Sequence, residues 1–126
     1  IFRTLLIPVT RQFKPELILV SAGFDTHEDD PLGSMRMTSR GYAALTRILM
    51  NEADRCCGGR MVLVLEGGYH LPALAESVKA VLKELRDETR VSQEELDEME
   101  RSTLVVSPLT EVNRVLDHIR PFWPGI

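Results

Sequence analysis

Apolar residues fall along the chain in two distinct rhythms. Leu17-Ile18-Leu19-Val20 is an unbroken apolar run without alternation, and Met61-Val62-Leu63-Val64-Leu65 repeats it. Such runs predict strands covered on both faces, as in a parallel sheet. Between them Tyr42, Leu45, Ile48, Leu49 and Ala53 share one helical face, which predicts a helix from about Thr38 to Asp54. Strand, helix and strand in this order predict a right-handed βαβ unit. Leu71, Leu74, Ala75, Val78, Val81, Leu82 and Leu85 then recur at helical spacing and predict a second helix over residues 71–88. Pro72 suits its first turn, where a missing N–H costs nothing.

The flanks are less regular. Phe2, Leu5, Leu6, Val9 and Phe13 predict a helix that Pro8 kinks or breaks. The chain opens on Ile1 inside this apolar stretch, which suggests a piece of something longer. Residues 86–101 are dense in charge, and Ser92 with Glu95 predicts a capping box at a short helix. Ser107-Pro108 predicts a further helix start, and Pro121 and Pro124 end it.

Composition narrows the class. A length of 126 residues, 44% hydrophobic and 27% charged, fits one globular α/β domain with a real core. A net charge of −4 without a basic patch argues against a nucleic-acid partner. No apolar run approaches the ~20 residues of a membrane span. Cys56 and Cys57 are adjacent, so they form neither a spaced metal pair nor a disulfide framework. They read as ordinary thiols near a helix end, and with no signal peptide they fit a reducing, cytoplasmic compartment.

Two loops carry candidate chemistry, because ligands of open parallel sheets bind beyond the carboxyl ends of the strands. The first is Ser21-Ala22-Gly23-Phe24-Asp25-Thr26-His27-Glu28-Asp29-Asp30-Pro31. Its carboxylates and imidazole suit a hard or borderline cation. They equally suit a solvated acidic loop with aspartates making turns. The second is Leu65-Glu66-Gly67-Gly68-Tyr69-His70. Paired glycines let the backbone approach a ligand, and a tyrosine hydroxyl there can donate to a developing oxyanion. A plain strand-to-helix turn with a packed aromatic explains the same residues.

Taken together the segments are more specific. The stretch Pro15-Glu16-Leu17-Ile18-Leu19-Val20-Ser21-Ala22-Gly23-Phe24-Asp25, then Asp30-Pro31-Leu32-Gly33, Met37-Thr38 and Leu65-Glu66-Gly67-Gly68-Tyr69, resembles the histone deacetylase family with its bacterial and acetylpolyamine amidohydrolase relatives. The resemblance implies part of an arginase/deacetylase-like three-layer α/β fold, a parallel sheet flanked by helices. It makes residues 1–86 a C-terminal segment of the catalytic domain and residues 87–126 its helical tail. Family members hold one zinc ion with two aspartates and a histidine. By this resemblance Asp30, the aspartate followed by proline, is the third ligand. Tyr69 is the residue that polarises the acetyl carbonyl, where a weakly active subgroup carries histidine. Gly67 and Gly68 flank the acyl-lysine tunnel, and Met37 stands on its wall. Zinc would act as the Lewis acid, and an acetylated lysine or polyamine would be the substrate.

The departures matter as much. The family's tandem histidines and its Asp-x-His ligand pair normally precede this region and have no counterpart in it. His27, His70 and His118 match no ligand position. The chain alone is therefore expected to hold no zinc and to be inactive. A stand-alone interaction module of the same fold is the alternative, and an arginase-like ureohydrolase with two manganese ions ranks below both. So few strands leave an edge unpaired, which predicts self-association, unless the charged tail folds back over the exposed surface.

Overall fold

The computed structural model describes residues 1–102 and 109–124. A π-helical turn, Phe2–Leu6, passes into α1, Ile7–Phe13, with Pro8 in the first turn of α1. The expected break thus falls just before the proline, whose absent N–H is harmless there. β1 is Ile18–Ala22, α2 Ser39–Cys57, β2 Met61–Leu65 and α3 Leu71–Leu85. Thr38 caps α2 by accepting the Gly41 N–H at 3.1 Å, and Gly58 ends it at φ 61°. α4 spans Gln93–Ser102 and α5 Leu109–Ile119. The expected capping box forms: Ser92 Oγ accepts the Glu95 N–H at 3.1 Å and Glu95 accepts the Ser92 N–H at 3.0 Å. The helix start expected at Ser107-Pro108 lies outside the described residues. No helix among them is long and apolar enough to cross a membrane.

β1 and β2 pair in parallel, from Ile18 against Met61 to Ala22 against Leu65. The sheet has these two strands among the described residues. One face packs on the helices. There Phe24, Tyr42 and Val81 form a core with Ala22, Met37, Leu63, Leu74, Val78 and Leu85. The other face is open, which corrects the expectation of strands buried on both sides. Leu19, Val62 and Val64 are 68%, 46% and 47% exposed. The apolar runs stand, and nothing among the described residues covers their second face.

The helix pair departs from the simple amphipathic picture. α3 buries Ala73, Ser77, Val81 and Glu84, while Leu71 and Leu82 are exposed. Small and polar side chains let α3 come close to α2, and Ser39 and Ser77 hydroxyls meet at 3.0 Å. Glu84 is fully buried and fully engaged, by Arg47, by the Thr89 hydroxyl and by the Val91 N–H at 2.9 Å. Arg47 also reaches Asp87 at 2.7 Å. This knot turns the chain out of α3, through Asp87 and Arg90 at positive φ, and brings α4 back onto α2. Val91 and Leu96 then join Ala43 and Ala44 in a second core. The first part of the tail therefore folds back, onto α2 rather than over the open sheet face.

Burial would raise the Glu84 pKa, but its bonds from Thr89, Arg47 and Val91 outweigh that and hold the carboxyl below its ordinary value. A depressed folded pKa stabilises the fold above the unfolded carboxylate range, and that contribution is lost as pH falls through the folded value. Glu84→Ala would strand Arg47 and the Val91 N–H. Urea unfolding at pH 7 is expected to show a loss of about 3 kcal/mol, with wild type approaching the variant in acid. A loss that stayed constant down to pH 3 would contradict this.

Candidate active site

Both candidate loops leave the same end of the parallel pair. Pairing continues past the strands: the Glu66 N–H donates to Ala22 O at 3.1 Å and the Phe24 N–H to Gly67 O at 2.8 Å. This stitches Gly23-Phe24-Asp25 beside Glu66-Gly67-Gly68. Asp25 leans across the seam. A Cβ placed on Gly67 would lie 2.6 Å from Asp25 Oδ2 and 3.2 Å from Oδ1, so a side chain there would displace this carboxylate from its present position. Asp25 is half-buried and accepts no hydrogen bond from a described residue.

Asp30 is placed differently. It is 7% exposed. Its Oδ1 accepts the Leu32 and Gly33 N–H groups at 2.9 and 3.1 Å, and its Oδ2 accepts the Tyr69 N–H at 2.8 Å. The His70 N–H also acts on this carboxylate electrostatically. Burial would raise its pKa, and the four N–H groups overcome that and hold it anionic. A carboxylate has about four lone-pair sites, and as placed here three of them meet backbone N–H donors.

Met37 sits between the loop and the core. Its backbone braces the loop, donating to Thr26 O at 3.0 Å and accepting the Glu28 N–H at 2.9 Å. Its side chain packs on the Phe24–Tyr42–Val81 core and also lines the cavity beside it, with Phe2 and Leu45. The exposed apolar side chains of this loop are Leu32 and Met35.

Tyr69 stands at the rim, 57% exposed, its hydroxyl bonded to no described residue. Gly68 before it adopts φ 135°, and a Cβ there would press on Leu74 and Phe24. The letters Asp25-Thr26-His27 repeat an Asp-x-His spacing, yet the structure parts the two side chains. His27 is buried, lies parallel to the Tyr42 ring, and accepts the Asp29 N–H at 3.1 Å through Nδ1. Tyr42 itself bonds Thr26 Oγ1 at 2.7 Å. Burial raises its pKa, with the charges of Asp25 and Asp30 acting in the same direction. His118 lies in the last turn of α5. No three metal-ligating side chains come together among the described residues. At this shared edge the described residues thus bring the Asp25 carboxylate, bonded to no described residue, near the exposed phenol of Tyr69. Asp25 is the acid nearest the end of β1.

Comparison with known proteins identifies the family. Residues 1–85 match the model of the histone deacetylase domain family. Histone deacetylase 15 of Arabidopsis thaliana is 34% identical over 125 residues, 99% of this chain and 21% of its own length. Human polyamine deacetylase HDAC10 is 53% identical over 77 residues, 61% of this chain and 11% of its own. The crystal structure of the HDA15 HD domain superposes with a TM-score of 0.78 at 35% identity, covering 98% of this chain and 31% of that one. The chain spans about a fifth of the first curated relatives it matches, 22%, 21% and 17% of their lengths. With the family pattern, the parallel α/β architecture and the superposition in agreement, the chain belongs to the histone deacetylase family.

Proposed function

We propose that this chain is the tyrosine-bearing part of a zinc-dependent deacetylase that hydrolyses acetyl-lysine or acetylated polyamine amides. The carrying observation is the seam at the carboxyl ends of β1 and β2, where Asp25 leans on Gly67 two residues before Tyr69. The named activities of the relatives, histone and polyamine deacetylases, support the same reading.

The fit to zinc is partial and specific. Asp25 has the donor chemistry and its lone pairs free, and it supplies one ligand of the three or four that zinc takes. The remaining ligands and the general base come from elsewhere in the whole enzyme. Bound zinc supplies Lewis acidity towards the amide carbonyl. Tyr69 would donate its O–H to the carbonyl oxygen as negative charge develops there. Gly67 and Gly68 keep side chains out of the gap between the two loops. Amide cleavage releases acetate and a free amine. Whether the amine belongs to a protein lysine or a polyamine is set by residues around the tunnel mouth, to which this chain contributes Leu32 and Met35.

Asp25→Asn in the intact enzyme tests the assignment. Losing a ligand costs at least what losing an outer-shell partner costs, a ~10–100-fold drop in metal affinity. Equilibrium dialysis followed by metal analysis is expected to show it, with turnover falling in parallel. Full zinc retention in that variant would reject Asp25.

A further inference from the structure

We propose that Asp30 is a positioning residue for Tyr69: its carboxylate ties the turn after β1 to the turn after β2 and so sets where the tyrosine hydroxyl stands. The inference rests on the reading of Tyr69 as the oxyanion donor.

The ring of Tyr69 is too exposed to be located by packing. The two residues before it are glycines, which add little stiffness. Its place is therefore fixed through its own backbone, and the bond that does so is the 2.8 Å link from its N–H to Asp30 Oδ2. The tether is anchored at its other end, because Asp30 Oδ1 is gripped by Leu32 and Gly33 of its own turn. One buried carboxylate thus joins two loops, by two N–H groups of its own turn and by the Tyr69 N–H of the other. Water cannot easily take its place, since Asp30 is nearly inaccessible. The position serves the next element as well. α3 begins two residues after Tyr69 without a side-chain cap, and a negative charge before a helix N-terminus is favourable. Charge and shape are both required. Asparagine has the same outline, but its NH2 would face N–H donors where an acceptor is needed.

The test uses the intact zinc enzyme that carries this segment, as wild type, Asp30→Asn, Tyr69→Phe and the double variant. Hydrogen bonds to a charged acceptor are among the stronger ones, so Asp30→Asn is expected to lower kcat about 10–100-fold. KM and zinc content should stay near wild type. In the Tyr69→Phe background the same substitution should cost less than about threefold, because the group it positions is already gone. Zinc loss in Asp30→Asn would make Asp30 a ligand and overturn the inference. So would an undiminished loss in the Tyr69→Phe background. If Tyr69→Phe alone left kcat intact, the oxyanion reading would fail, and amide exchange would still decide the tether. In unmodified enzyme the Tyr69 amide should be protected from hydrogen exchange despite its exposed ring. An amide exchanging at the unprotected rate would overturn the inference without any variant.

Discussion

Tyr69→Phe is expected to cut kcat of the intact enzyme by about 10²–10³-fold, the cost of one oxyanion donor, while its melting temperature stays within a degree or two of wild type. The separation of the two effects follows from the structure. The Tyr69 ring is more than half exposed and its hydroxyl bonds to no described residue, so removing the oxygen breaks no native contact. The backbone tether to Asp30 does not involve the side-chain oxygen and survives. Substrate binding should change little, because the donor acts on charge that appears only in the transition state. Steady-state kinetics beside thermal unfolding give the readout. A near-normal kcat would remove Tyr69 from the chemistry, and a large fall in melting temperature would mean that its hydroxyl is structural.

Purified alone, the 126-residue chain is expected to self-associate and to show no deacetylase turnover. β1 and β2 pair only with each other among the described residues, so each presents an unpaired outer edge. Leu19, Val62 and Val64 project from the open face beside those edges. α4 does not cover that face, because Val91 and Leu96 carry that helix onto α2 instead. Size exclusion with light scattering at micromolar concentration is the measurement. A clean monomer with a cooperative unfolding transition would show that the open face is tolerated in water. Chelator-sensitive hydrolysis of an acetyl-lysine peptide by the pure chain would show that a complete site had been overlooked.

What could be read from the letters alone follows a physical divide. Periodicity located both strands and the helices α2, α3 and α4 to within a few residues, because apolar spacing and caps such as Thr38 and Ser92 are local properties. Burial was legible only in part. Leu17–Val20 reads as a strand covered on both sides, but covering depends on what packs against it, which no local pattern contains. In α3 the leucines drew attention, whereas Ser77 and Glu84 occupy the tightest positions. Glu84 is buried only because Arg47, Thr89 and Val91 converge on it from other segments. The candidate site divides in the same way. Gly67, Gly68 and Tyr69 were visible as a turn past a strand. The different roles of Asp25 and Asp30 were not, since five positions along one acidic loop separate them and only the fold shows which carboxylate meets the Tyr69 N–H.

The parallel pairing of β1 with β2 also orders events in time. Ile18 meets Met61 only after a loop of about forty residues has closed, an entropic cost met before any reward arrives. α2 lies inside that loop and forms from near neighbours, as does α3 after it, so helices precede the strand pair. Asp25 follows the first strand and Tyr69 the second. They are therefore expected to be brought together only as the strands pair, and any intermediate with its helices made and its strands apart would hold the two groups without the relation between them.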